Sequence, residues 1–446
     1  MTKRISIPLL VFLAACGDNG QTTPPVDAAA PDSPVDAAPD LLTPAEITAS
    51  HLLSPLPAVP ADTTNAYANS AAAVRLGQML FFDKSYSGAL VVGDDGSNGG
   101  MGPVGATGKV SCHSCHTIGS ADLDDRRSTP NNVSLGTDFG PRNALGIINA
   151  SFYKWTNWGG RFDSQWSLPI AVAENAKIMR SSRLQLAHML YDKYRTEYDA
   201  AFPVALDARL ADTTVFAATG KIGDAAYDGL VLADKQIIER ILANYGKAIA
   251  AYMRTLVSRN APFDRFVAGD RTAISAAAVR GFKTFLAKGC VTCHSGPNFA
   301  DDKFHVLGAP QTGPHVPAVD LGRNQDVGPL LASPFNTDGV YSDDRTTGKL
   351  TGLIVDDSQK GQFRTKSLRN VAQAGPFMHA GQLATLADVV GFYKLGGGDV
   401  TTSLFVKDPL ITPLTLTAQD TTDLVEFMGA LTGEPPPVTT MVDISK

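Results

Sequence analysis

Five cysteines occur in the 446 residues, and four of them fall into two copies of one pattern. Cys112-His113-Ser114-Cys115-His116 and Cys290-Val291-Thr292-Cys293-His294 both read C-x-x-C-H, the arrangement at which haem c is covalently attached. The spacing has a chemical reason. Two thiols separated by two residues reach the two vinyl groups on one porphyrin edge, and the histidine that follows offers an imidazole nitrogen to the iron. A redox dithiol has no need of the trailing histidine, and a zinc site would need both cysteine pairs to converge on one metal. Two complete motifs therefore predict two haem c groups, with His116 and His294 as proximal ligands.

The fifth cysteine, Cys16, sits at the end of a leader. Lys3 and Arg4 precede an apolar run from Ile5 to Ala15, the layout of an export signal and too short to span a bilayer permanently. Leu13-Ala14-Ala15-Cys16 resembles a bacterial lipobox, so residues 1–15 are expected to be a signal peptide and Cys16 a lipid anchor. Cleavage at an ordinary alanine-rich site, with Cys16 incidental, is the alternative. Residues 16–46 form a Pro/Ala/Asp-rich tether without hydrophobic periodicity. Beyond Cys16 it carries Asp18, Asp27, Asp32, Asp36, Asp40 and Glu46 but no Lys or Arg, so much of the formal charge of −6 belongs to this stretch. Nothing in the charge pattern points to a nucleic-acid surface.

The elements that must position the motifs read as mainly α. Lys235–Val257 sets Ile237, Ile238, Ile241, Leu242, Tyr245, Ile249, Tyr252, Met253 and Leu256 on one helical stripe. Arg183–Ala201 carries a weaker stripe, and Ser275–Lys288 forms a helix that runs into the second motif past Gly289. Thr385 and Asp388 make a capping box ahead of Leu386, Val389, Val390 and Tyr393, and Gln419–Leu431 closes the fold. The stretches 87–110 and 306–352 are long Gly/Pro-rich connections without periodicity. Asn260-Ala261-Pro262 marks a domain boundary.

Five further segments carry a family resemblance. Arg75-Leu76-Gly77-Gln78-Met79-Leu80-Phe81-Phe82-Asp83 precedes the first motif, while Gly140-Pro141-Arg142-Asn143 and Trp158-Gly159-Gly160-Arg161 follow it. Ser367-Leu368-Arg369-Asn370 and Pro376-Phe377-Met378-His379-Ala380-Gly381 follow the second. In this order they resemble the bacterial di-haem cytochrome c peroxidase and MauG superfamily, over about residues 70–432. The resemblance implies two cytochrome c-like haem domains packed face to face with long irregular loops: residues 47–259 around a peroxidatic haem and 260–435 around an electron-transfer haem, with 436–446 as a tail. Hydrogen peroxide would meet the first haem, and oxidising equivalents would pass through the second. Partners would be a small cytochrome or other redox protein, or a molecule to be oxidised.

Carried over residue by residue, the resemblance makes Trp158 the tryptophan between the haems and places calcium at Asn143 with the backbone carbonyls of Ala374 and Pro376. Oxygen donors suit that hard cation. Fourteen residues beyond His379 stands Tyr393, where classical peroxidases have a methionine ligand and MauG-type enzymes a tyrosine. A phenolate favours oxidised iron, whereas a thioether favours reduced iron. Met378 is the rival ligand, and a core role on its helix is the alternative for Tyr393. Switching peroxidases of that family place a distal histidine in the loop after the first motif. Here no histidine lies between His116 and His188, so the resemblance implies a first iron that is open on its distal side or held only by water.

The pattern also departs from the family. Aligned without gaps from Trp158, the peroxide-handling Gln and Glu fall on Leu168 and Ile178, which cannot move protons. Glu174, one helical turn before Ile178, is the candidate replacement, with a capping or exposed glutamate as the other reading. Two functional classes follow: a peroxide-dependent oxidoreductase, or a di-haem electron-transfer or sensing protein without peroxide chemistry.

Overall fold

The computed structural model describes residues 42–94, 100–118, 133–400 and 405–445. Cys16 and most of the tether lie outside them. The described chain is mainly helical: α1 Pro44–Leu53, α2 Ala71–Phe82, α3 Ser167–Glu174, α4 Arg183–Ala201, α5 Ala225–Asp228, α6 Leu232–Met253, α7 Pro262–Val267, α8 Ala276–Ala287, α9 Arg323–Leu331, α10 Leu386–Lys394 and α11 Ala418–Gly429. A two-residue antiparallel ladder joins β1 Phe304–His305 to β2 Phe363–Arg364. No helix among the described residues is long and apolar enough to cross a membrane.

Apolar side chains gather into two clusters. The larger runs from Ala73 to Leu256 and takes in Phe335. The smaller joins Leu53 to residues between Phe263 and Leu431. Helix α6 is the spine of the first. Its expected stripe is present, but from Ile241 to Met253 every position is buried, including Asn244 and Lys247. The cause is enclosure, because α2, α3 and α4 all pack against it. Contact with α2 is close enough that a Cβ on Gly77 would lie 1.9 Å from the Ala248 carbonyl oxygen. Lys247 stays buried because its ammonium reaches Asp343 at 2.8 Å.

Helix α8 packs on α11 in the second cluster, and two buried ions tie that cluster together. Arg369, from the Ser-Leu-Arg-Asn segment, holds Asp264 of α7 through two bonds of 2.8 and 3.0 Å. Asp264 also accepts from Ser54 at 2.5 Å. Burial alone would raise the Asp264 pKa, yet Arg369 and Ser54 bring it below the ordinary value.

The structure differs from the sequence expectation in the connection 306–352, which contains helix α9. Gly328 and Pro329 lie inside that helix, so its sequence reads as a breaker. Its first turn is held from outside, where Asp326 accepts from Arg142 at 2.9 Å. The capping box on α10 forms as expected, with Asp388 N–H donating to Thr385 Oγ1 at 3.1 Å and Thr385 N–H donating back at 2.9 Å.

Candidate functional site

Both cysteine motifs form the same short 3₁₀ turn, Cys112–Ser114 and Cys290–Thr292. The His116 and His294 N–H groups each donate to the carbonyl of the first cysteine of their motif at 3.0 Å. The chain enters the second motif from α8 through Gly289, at φ +76°, a left-handed conformation that glycine takes without a Cβ clash. In the first motif burial pushes the Cys112 thiol up to about 12, while Cys115 Sγ faces the Leu135 carbonyl at 3.9 Å. Residues 119–132, which follow the first motif, lie outside the described residues.

Beside the second motif is a cavity of about 700 Å³, lined by Cys290, Cys293 and His294 on one side and by Met378 and Tyr393 among others. That volume is within the ~300–1,000 Å³ range of pockets that enclose cofactor-sized molecules. His294 is oriented for metal work. Its Nδ1 donates to the Phe299 carbonyl at 3.1 Å, which leaves Nε2 to accept a metal. Burial lowers its pKa and keeps the imidazole neutral. Tyr393 reaches the cavity from α10, where burial, then the charges of Cys293 and Cys290, raise its phenol pKa. A Lewis-acidic metal would oppose that rise. Met378 also lines the cavity, at φ +70°, so both candidate distal ligands border the same space.

Trp158 forms part of the wall and is 9 % exposed. Its Nε1–H donates to the Asn143 carbonyl at 2.8 Å, so the ring is fixed by the Gly-Pro-Arg-Asn segment. The glycines after it have steric causes. A Cβ on Gly159 would lie 2.1 Å from Asp326 Oδ2, and one on Gly160, at φ +69°, would lie 2.5 Å from the Phe304 ring. Arg142 completes the arrangement by gripping Asp320 through two bonds of 2.7 Å and Asp326 at 2.9 Å.

His379 stands between rings, stacked on Phe363 at 3.8 Å and edge-on to Trp158 at 6.4 Å. Burial pushes its pKa down to about 4. Its Nε2 contacts the Gln311 amide at 2.5 Å, an interaction across 68 residues with no sequence signal. A second cluster is equally hidden. His305 lies 2.6 Å from Asp408 and 3.2 Å from Asp301, and its ligand atoms together with those of Asp301 and Cys293 fall within 4.8 Å of one another. Contact with Cys293, then the carboxylates, raises the His305 pKa to about 9. Were Cys293 committed to a thioether, as its motif implies, the two carboxylates would remain to hold this imidazole.

Asn143, Ala374 and Pro376 all line the cavity. Asn143 Nδ2 donates to the Pro376 carbonyl at 2.9 Å, so amide and carbonyl satisfy each other there. Glu174, the candidate acid–base residue, is engaged elsewhere. Arg183 grips both of its oxygens at 2.9 and 2.8 Å and donates to Tyr227 at 3.1 Å. A carboxylate closed in such a fork makes a structural link.

The profile of the family described as di-haem cytochrome c peroxidase matches residues 71–272. Cytochrome-c peroxidase IdrP1 of Denitromonas iodatirespirans is 33 % identical over 382 residues, spanning 85 % of this chain and 86 % of that protein. This chain belongs to the di-haem cytochrome c peroxidase family. It is a haem peroxidase-type oxidoreductase by that membership, and the family implies two haem c groups. The methylamine utilization protein MauG of Methylorubrum extorquens is 36 % identical over 193 residues, 43 % of this chain and 45 % of that protein. The fold matches a MauG-like protein associated with microbial copper homeostasis, with TM-score 0.57 and 24 % identity over 88 % of this chain and 98 % of that one. It also matches the diheme peroxidase BthA of Burkholderia thailandensis, with TM-score 0.54 and 20 % identity over 84 % and 90 %.

Proposed function

We propose that this protein is an exported, lipid-anchored di-haem oxidoreductase on the periplasmic side of a bacterial membrane. It takes hydrogen peroxide at an open first haem and passes oxidising equivalents through the second, the two haem domains facing each other. The observation that carries the reading is the single cavity shared by Cys290, Cys293, His294, Tyr393 and Trp158. When bound, the haems supply the iron that meets peroxide and the conjugated rings that carry charge. The chain holds them through His116 and His294, fixes Trp158 by its indole N–H, and offers Tyr393 as the second distal ligand. Electrons would come from a small cytochrome, another redox protein or an oxidisable small molecule. Calcium at Asn143, Ala374 and Pro376 requires the Asn143 amide to turn its oxygen inward. All three donors are neutral, which makes for a weak site. The experiment is stopped-flow spectroscopy after mixing peroxide with the diferric protein: rapid loss of the ferric spectrum of the first haem supports the reading, and an unchanged spectrum removes it.

A second reading, electron transfer or sensing without peroxide chemistry, is favoured by one set of residues. Leu168 and Ile178 cannot move protons, and Glu174 is closed on Arg183. In that case the unchanged spectrum would be accompanied by reversible reduction of both haems.

A further inference from the structure

Arg364 is the second residue of β2, and its backbone N–H donates to the Trp158 carbonyl at 2.9 Å. Its side chain lies on the cavity wall and is part of a residue only 4 % exposed. Two of its donors and contacts are accounted for. Nε reaches the Asn157 carbonyl at 3.3 Å, and the guanidinium plane covers the Tyr153 ring at 3.7 Å. Nη1 is buried with no hydrogen-bond partner. Among the described residues no carboxylate forms an ion pair with Arg364: the Tyr153 phenol is the nearest group that favours its charge, and Asp302 acts on it only from beyond contact. A buried guanidinium without a counter-ion is costly, and its planar fork of N–H donors matches a carboxylate. Lys366 adds a second cation to the same wall, with its ammonium 5.0 Å from the Tyr153 ring and 5.8 Å from the Trp158 ring.

The haem attached at Cys290 and Cys293 would bring two propionates into this apolar space. We infer that Arg364 anchors a propionate of the second haem and so ties that haem to the Asn157–Trp158 segment. The inference rests on the two-haem reading of the site. Arg364 is a positioning residue with two consequences. It fixes the second haem relative to Trp158, and its positive charge favours reduced iron.

The test uses the mature holoprotein, with haem counted first, then potentiometry and resonance Raman spectra of the propionate-bending modes. Arg364→Gln should lower the reduction potential of the second haem by about tenfold in the oxidised-to-reduced ratio, equivalent to about 59 mV, and should move the propionate band. The first haem's potential should stay put. Arg364→Lys should restore most of the potential while leaving the band displaced, because an ammonium cannot reproduce the fork. Wild-type potential and band in Arg364→Gln would overturn the anchor while leaving the two-haem reading intact. Wild-type protein without haem at Cys290 and Cys293 would overturn both. Should Arg364→Gln not accumulate, Arg364→Lys decides alone: a displaced band supports the anchor, and a wild-type band refutes it.

Discussion

Tyr393 and Glu174 illustrate how much a residue's neighbours decide. For Tyr393 the neighbours are the second haem motif and the cavity wall, so the distal-ligand assignment has a direct spectroscopic consequence. A phenolate donates charge to ferric iron, so Tyr393→Met should raise the potential of the second haem and introduce the near-infrared methionine-to-iron band. Tyr393→Phe should remove the sixth ligand. A wild-type methionine band that Met378→Leu abolishes would assign the ligand to Met378. For Glu174 the neighbour is Arg183. Glu174→Gln should leave the peroxide reaction of the first haem within a fewfold of wild type, while weakening the fork by about 1–3 kcal/mol. Thermal unfolding and stopped-flow rates read the two effects separately, and a large rate loss would restore Glu174 to the chemistry. The haem motifs were legible because their meaning lies in local spacing. The Asn157 partner of Arg364, the Gln311 partner of His379 and the Asp408 partner of His305 were not, since these contacts span from 68 to more than 200 residues of chain.

At the scale of elements, helices announced by an apolar stripe or a capping box were readable, and α10 shows both signals. Helix α9 was not, because Gly328 and Pro329 argue against a helix that tertiary contacts from Arg142 support. The link between α7 and the Ser-Leu-Arg-Asn segment is likewise tertiary, and it makes a prediction. Asp264→Ala would leave the Arg369 guanidinium buried without its partner, at a cost of about 3–5 kcal/mol. Because the folded-state pKa of Asp264 is depressed, the unfolded chain binds its proton more readily. The pair's contribution is therefore complete above the unfolded carboxylate pKa and is lost as pH falls through the folded value. Denaturant titrations of wild type and Asp264→Ala should converge in strong acid. Curves that stay parallel down to the lowest pH would assign the stability to something else.

The helical body follows an N-terminal stretch of different composition, rich in Pro, Ala and Asp. The lipobox reading predicts that wild type sediments with membranes, that Cys16→Ser releases it, and that inhibiting signal peptidase II blocks its maturation. Soluble protein with an unmodified N-terminus would reject the anchor. The body makes the companion prediction about cofactor number. Each motif closes its own turn, with the histidine N–H bonded to the carbonyl of its first cysteine, and the motifs stand beside different hydrophobic clusters. Attachment at one motif should therefore proceed without the other. Mature protein should contain two haems that survive denaturation and acid–acetone extraction. Cys290→Ala/Cys293→Ala should retain one, and Cys112→Ala/Cys115→Ala should retain the other. Thioether bonds would hold each porphyrin even after unfolding removed His116 or His294 from the iron, so the count in denaturant reports attachment alone. Complete extraction of haem from wild type made in a host with c-type maturation would contradict the covalent assignment at both motifs. Loss of both haems from one double variant would show that the two sites mature as a unit.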